Sequence, residues 1–151
     1  MKNNILRFLC CPNCRQDLIL DKVIQGTSEE VVDGVLQCKD CNSSYRIVEG
    51  IPVLLPQKFS NAAEVALRDS VSGKFRKKLD GWELLYDKSH FRSLAHLRIK
   101  EQLSNLRTIT QPNILDIGIG WGVNYLPFAS KVNLFGLDFS LESLLLLKFI
   151  Q

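Results

Sequence analysis

The chain has 151 residues, 23% of them charged, and a formal net charge of +3; that is length for one domain or two small ones, and too little charge to argue for nucleic acid. Its 46% apolar content is that of a globular protein rather than a disordered one. No apolar stretch approaches the roughly 18 residues of a membrane-spanning helix, and the opening Met1-Lys2-Asn3-Asn4 lacks the apolar core and cleavage site of a signal peptide.

Four of the five cysteines fall in two C-x2-C pairs, Cys11-Pro12-Asn13-Cys14 and Cys38-Lys39-Asp40-Cys41, with 23 residues between them. Two such knuckles supply four thiolates at the spacing zinc takes. Paired cysteines of this kind fit a reducing compartment and a metal better than a disulfide framework, which places the protein in the cytoplasm. The interval between the pairs is long enough for a hairpin: residues 17–25 and 31–37 read as strands, with a turn at Gly26-Thr27-Ser28. Residues 45–55 offer a third strand. A hairpin plus one strand around four cysteines is a zinc ribbon, too small to fold on its apolar core alone, so metal binding must stabilise it. Four protein ligands leave no open position on the metal, which makes the zinc structural. Cys10 lacks the two-residue spacing to Cys14 and reads as a spare, half-buried thiol.

Leu6 and Leu9 before the first knuckle, Leu18 after it, and the run Tyr45-Arg46-Ile47-Val48-Glu49-Gly50-Ile51-Pro52-Val53-Leu54-Leu55 after the second resemble the small zinc-ribbon activator subunit of tRNA and translation-factor methyltransferases. Similar ribbons also occur fused in front of methyltransferase domains. This resemblance covers residues 1–56 and implies a protein partner for the ribbon.

The middle of the chain reads as helical. Asn61-Ala62-Ala63-Glu64 has the form of a capping box, and Gly73 breaks the helix that follows. The cluster Lys74, Arg76, Lys77 and Lys78 reads as a solvated face. Trp82 and Tyr86, one turn apart, read as packing residues, and His90 and His96 have no identifiable catalytic partner. Phe91, Ala95, Ile99, Leu103 and Leu106 recur at helical spacing.

Beyond Gln111-Pro112-Asn113 the sequence is Ile114-Leu115-Asp116-Ile117-Gly118-Ile119-Gly120-Trp121-Gly122, then Leu134-Phe135-Gly136-Leu137-Asp138. A strand entering a glycine-rich turn, and a second strand ending in an acid, suit a nucleoside: glycines let the backbone approach a ligand, and Asp138 can accept hydrogen bonds from ribose hydroxyls. The Gly-Lys-Ser/Thr ending of a phosphate loop is absent, and Val123 stands where the dinucleotide fingerprint has its third glycine. The G-x-G-x-G form with Asp116 and Asp138 is similar to class I S-adenosylmethionine-dependent methyltransferases. That resemblance implies a cofactor held by Asp116, Gly118, Gly120, Gly122 and Asp138. Trp121 is bulky for the loop, though tryptophan occurs there in the cyclopropane-fatty-acid-synthase type of the fold.

The expected fold class is therefore α/β: an N-terminal zinc ribbon (1–56), a helical linker (57–111) and the start of a Rossmann-like methyltransferase domain (112–151). Only thirteen residues follow Asp138, so the sheet reads as cut short, with an exposed edge, uncovered apolar surface and no nameable catalytic residue. The expected function is an S-adenosylmethionine-dependent methyltransferase of unread methyl acceptor, with structural zinc at Cys11, Cys14, Cys38 and Cys41. The alternative is a non-enzymatic zinc-binding adaptor or activator docking on a methyltransferase. A dehydrogenase-like nucleotide binder is a third reading, disfavoured by Val123.

Overall fold

The computed structural model describes residues 1–56, 94–106, 108–120, 122 and 124–150. The expectations for the capping box at 61–64, the basic cluster, Trp82, Tyr86, His90, Phe91, Trp121 and Val123 lie outside them, as do the side chains of Ala95 and His96. The chain divides into two compact units, Met1–Leu67 and Arg68–Gln151. No helix among the described residues is long and apolar enough to cross a membrane.

The first unit is a four-stranded antiparallel sheet in the order β1-β2-β3-β4, formed by β1 (Leu18–Gly26), β2 (Val31–Cys38), β3 (Ser44–Val48) and β4 (Ile51–Pro52). Alternation puts Gly34, Leu36 and Cys38 of β2 on the buried face. Leu36 stands opposite Leu20 on one side and Tyr45 on the other, and Ile47 stands opposite Gly34. Val31, Leu36 and Ile47 are fully buried, and a 3-10 helix at Asn3–Phe8 helps cover them with Ile5 and Leu6. Cys38, at the end of β2, faces Leu18 of β1, and both belong to this core. Cys11 and Cys38, with Cys14 packed against the cluster, are therefore part of the apolar core as well as of the cysteine quartet.

The expected third strand across 45–55 is divided in two. Glu49 and Gly50 both have positive φ, 50° and 77°, and Val48 pairs directly with Ile51. That is the two-residue hairpin turn whose twist matches its strands, and glycine is what makes its second position easy to reach. The Gly50 amide donates to the Val32 carbonyl at 2.6 Å, which ties the turn back to β2.

In the second unit β5 (Asn113–Ile117) and β6 (Asn133–Leu137) pair in parallel, in register from Asn113 opposite Asn133 to Ile117 opposite Leu137. The crossover between them holds a 3-10 helix, Leu126–Lys131, with Pro127 in its first turn. A parallel connection usually carries an α-helix here. Helix α1 spans Leu94–Asn105 and α2 spans Leu141–Ile150. Ser140 caps α2, its hydroxyl accepting from the Ser143 amide at 3.2 Å. Leu115, Ile117 and Leu137 share one face of the strand pair and are exposed, Ile117 to 78%. The architecture is thus mixed α/β with an antiparallel zinc ribbon. The described part of the expected methyltransferase domain amounts to two parallel strands and the helix after them, which falls short of a doubly wound sheet.

Candidate metal centre

The two cysteine pairs adopt the same backbone shape. The Cys11 amide donates to the Gln16 carbonyl at 2.8 Å, and the Cys38 amide to the Ser43 carbonyl at 2.9 Å, five residues on in each case. The residue after each second cysteine turns left-handed, Arg15 at φ 66° and Asn42 at φ 57°. Such a turn aims successive amides inward and leaves both sulfurs of a pair on the concave side. The first pair follows the 3-10 helix, and the second is held at the end of β2, so strand pairing brings the pairs face to face.

The Sγ atoms of Cys11, Cys14, Cys38 and Cys41 all lie within 4.8 Å of one another. Cys14 and Cys38 are 3.4 Å apart, Cys11 and Cys41 3.6 Å. A tetrahedral zinc with Zn–S of about 2.3 Å spaces its sulfurs about 3.8 Å apart. The quartet brackets that value and is well beyond the ~2.05 Å of a disulfide. The four cysteines are placed to bind zinc, and the donor set of four sulfurs suits it.

Hydrogen bonds prepare the sulfurs. The Tyr45 hydroxyl lies 3.1 Å from Cys11 Sγ, and Ser43 Oγ lies 3.1 Å from Cys41 Sγ. Asn13 donates to Ser43 Oγ at 2.9 Å, linking the first pair to the second. Burial alone would raise the Cys11 thiol, but the Tyr45 hydroxyl and the amides of Cys14 and Asn13 outweigh it and bring it down to about 6. The Ser43 hydroxyl and amide likewise lower Cys41. Burial and the adjacent Cys11 both push the Tyr45 phenol up, so it stays protonated and donating. Tyr45 and Ser43 went unread in the sequence as site residues. Their signal was a hydroxyl two and four residues beyond Cys41, facing back into the ribbon.

Replacing Tyr45 with Phe removes the hydroxyl and keeps the ring. We expect Tyr45→Phe to weaken zinc binding roughly 10- to 100-fold, the range for losing a partner of a metal ligand. Competition against a chromogenic chelator measures it; unchanged affinity would mean that the hydroxyl only fills space. Cys10, expected half-buried, is exposed, and its backbone pairs with Asp17 beside the knuckle. It is not one of the clustered sulfurs.

The glycine loop turns on three glycines of positive φ, Gly118, Gly120 and Gly122. Gly118 and Gly120 have φ of 80° and 56° with open space where a side chain would stand. The Asp138 carboxylate, expected to meet ribose, accepts from the Gly120 amide at 2.7 Å and from the Ser140 amide at 2.7 Å. Asp138 therefore braces the loop against the start of α2. Gly122 packs against Leu147 of α2. Asp116 sits on the other face of β5 from Leu115 and Ile117, and burial raises its carboxyl above the ordinary range.

Residues 2–50 match the family model described as Trm112p-like protein. No curated protein matches the chain. Among solved structures, a chain from the complex between the Haloferax volcanii Trm112 methyltransferase activator and a candidate methyltransferase is 32% identical, with a TM-score of 0.36; the alignment covers 39% of this chain and 98% of that one. The family match overturns the expected function. The matched segment is the ribbon, and its family is a small zinc-binding activator of methyltransferases that is not itself catalytic. The reading of this chain as a methyltransferase, and as an enzyme, is corrected accordingly. Four thiolates around zinc would leave no open position on the metal, so the centre itself is structural. S-adenosylmethionine as a cofactor finds no support in the comparisons.

Proposed function

From the premise of a Trm112p-like segment at residues 2–50, we propose that the chain is a non-catalytic activator, held in shape by zinc at Cys11, Cys14, Cys38 and Cys41, that docks on a methyltransferase. The observation that carries the reading is that the family match coincides with the ribbon in which the four sulfurs gather. The surface of the ribbon suits a protein partner. Among the described residues β1 is an edge strand of the sheet, paired on one side only, and it exposes Val23 and Ile24. Phe8 is also exposed, with the Arg7 guanidinium 4.7 Å from its ring centroid. Apolar residues beside an unpaired strand edge bind a partner by shape and by main-chain hydrogen bonds. An activator of this kind contributes surface and stability, and the transferred methyl group stays with the partner.

The test is reconstitution. The zinc-loaded chain is mixed with each methyltransferase encoded in the same genome, and co-elution and methyl transfer from labelled S-adenosylmethionine are measured. One enzyme should co-elute and gain activity that neither protein has alone. Methyl transfer by the chain without a partner, or no co-elution with any of them, would overturn the proposal.

A further inference from the structure

The four sulfurs differ in access to solvent. Cys11 and Cys38 are fully buried, Cys14 is half-buried and Cys41 is exposed. A neutral oxidant such as hydrogen peroxide therefore reaches Cys41 first, because thiolate character and exposure together select the site of oxidation. The nearest sulfur to Cys41 for which the geometry gives a direct contact is Cys11 at 3.6 Å, on the opposite knuckle. The second close pair, Cys14 and Cys38 at 3.4 Å, also crosses between knuckles.

From this geometry we propose that the metal centre is also a peroxide-sensitive switch, in which oxidation starts at Cys41 and ends as a Cys11–Cys41 disulfide with release of the metal. The Cys41 sulfur attacks peroxide: an S–O bond forms, the O–O bond breaks and hydroxide leaves, so the sulfur becomes a sulfenic acid. The Cys11 thiolate then attacks the Cys41 sulfur. An S–S bond forms, the S–O bond breaks and a second hydroxide leaves. Two electrons pass from two thiolates to one peroxide, and the two hydroxides take protons from the buffer to give two waters. The sulfurs close from 3.6 Å to about 2.05 Å. Cys14 and Cys38 alone hold zinc weakly, and it leaves. The disulfide joins the same two knuckles that the metal joined, so the ribbon keeps a tie between them. A dithiol reverses the reaction by exchange.

The switch rests on zinc occupancy of the quartet and goes beyond docking on a methyltransferase. Its test uses the purified chain, with zinc content measured before oxidant is added. Hydrogen peroxide is then added in the presence of a chromogenic zinc chelator, and peptides are mapped by mass spectrometry without reduction. We expect one zinc released per disulfide, a Cys11–Cys41 cross-link as the first product, and recovery of zinc binding after dithiothreitol. Cys10→Ser should leave rate and product unchanged. Ser43→Ala removes the hydroxyl that favours the Cys41 thiolate and should slow release roughly fivefold, the equivalent of one hydrogen bond of about 1 kcal/mol. A chain without zinc at the outset would overturn the metal centre and the switch together. A loaded chain that keeps its zinc in excess peroxide would overturn the switch alone, as would a first cross-link through Cys10 or between Cys14 and Cys38.

Discussion

Removing the metal is expected to unfold the ribbon. The core beneath the metal consists of few residues, and Cys11 and Cys38 are themselves part of it. A segment of this size gains about 3–5 kcal/mol at most from its own core, whereas structural zinc contributes an apparent 10–16 kcal/mol to folding in comparably small peptides. The metal term is the larger, so its loss decides the outcome. Chelation should abolish amide protection in β2 and β3, and Cys38→Ser should reproduce this without chelator. Hydrogen exchange before and after verified metal removal measures it. Strands that stay protected in metal-free chain would show that the apolar cluster suffices alone.

The second large effect concerns that cluster. Ile47 is fully buried opposite Gly34, among Val31, Leu36 and Tyr45. We expect Ile47→Ala to cost about 2–5 kcal/mol, from lost burial and from the cavity left behind. Denaturant melting of the zinc-loaded chain reads it directly. Ile24, 60% exposed on β1, is the control: Ile24→Ala should stay within about 0.5 kcal/mol. The same substitution thus separates the buried face from the exposed one. Equal losses at both positions would mean that the face assignment is wrong. A small loss at Ile24 leaves the residue available for a test of partner binding, where its truncation should act on co-elution.

The expected function rests on the glycine loop. The stretch from Ile114 to Asp138 has the pattern of a ligand-binding turn, and patterns of glycines and acids do not say what the groups contact once folded. Asp138, for one, accepts amide hydrogen bonds from Gly120 and Ser140 in the folded chain. The sequence ranks the activator reading, carried by the ribbon, second to the methyltransferase reading carried by the glycine loop. The family match falls on residues 2–50, within the ribbon, and reverses that order.

The sequence alone determined the elements whose cause is local. The knuckles follow from two-residue cysteine spacing, and the hairpin from alternating apolar runs about Gly26. Tertiary structure decided whatever depends on partners distant in sequence. The strand expected across 45–55 turns back at Glu49 and Gly50, and the Gly50 amide bonds back to Val32 of β2. Tyr45 becomes a partner of Cys11, 34 residues away, because β3 pairs with β2. Cys41 is exposed while Cys14, which holds the same place in the other pair, is half-buried. Spacing fixes which sulfurs can meet; only the packed sheet fixes which of them water can reach.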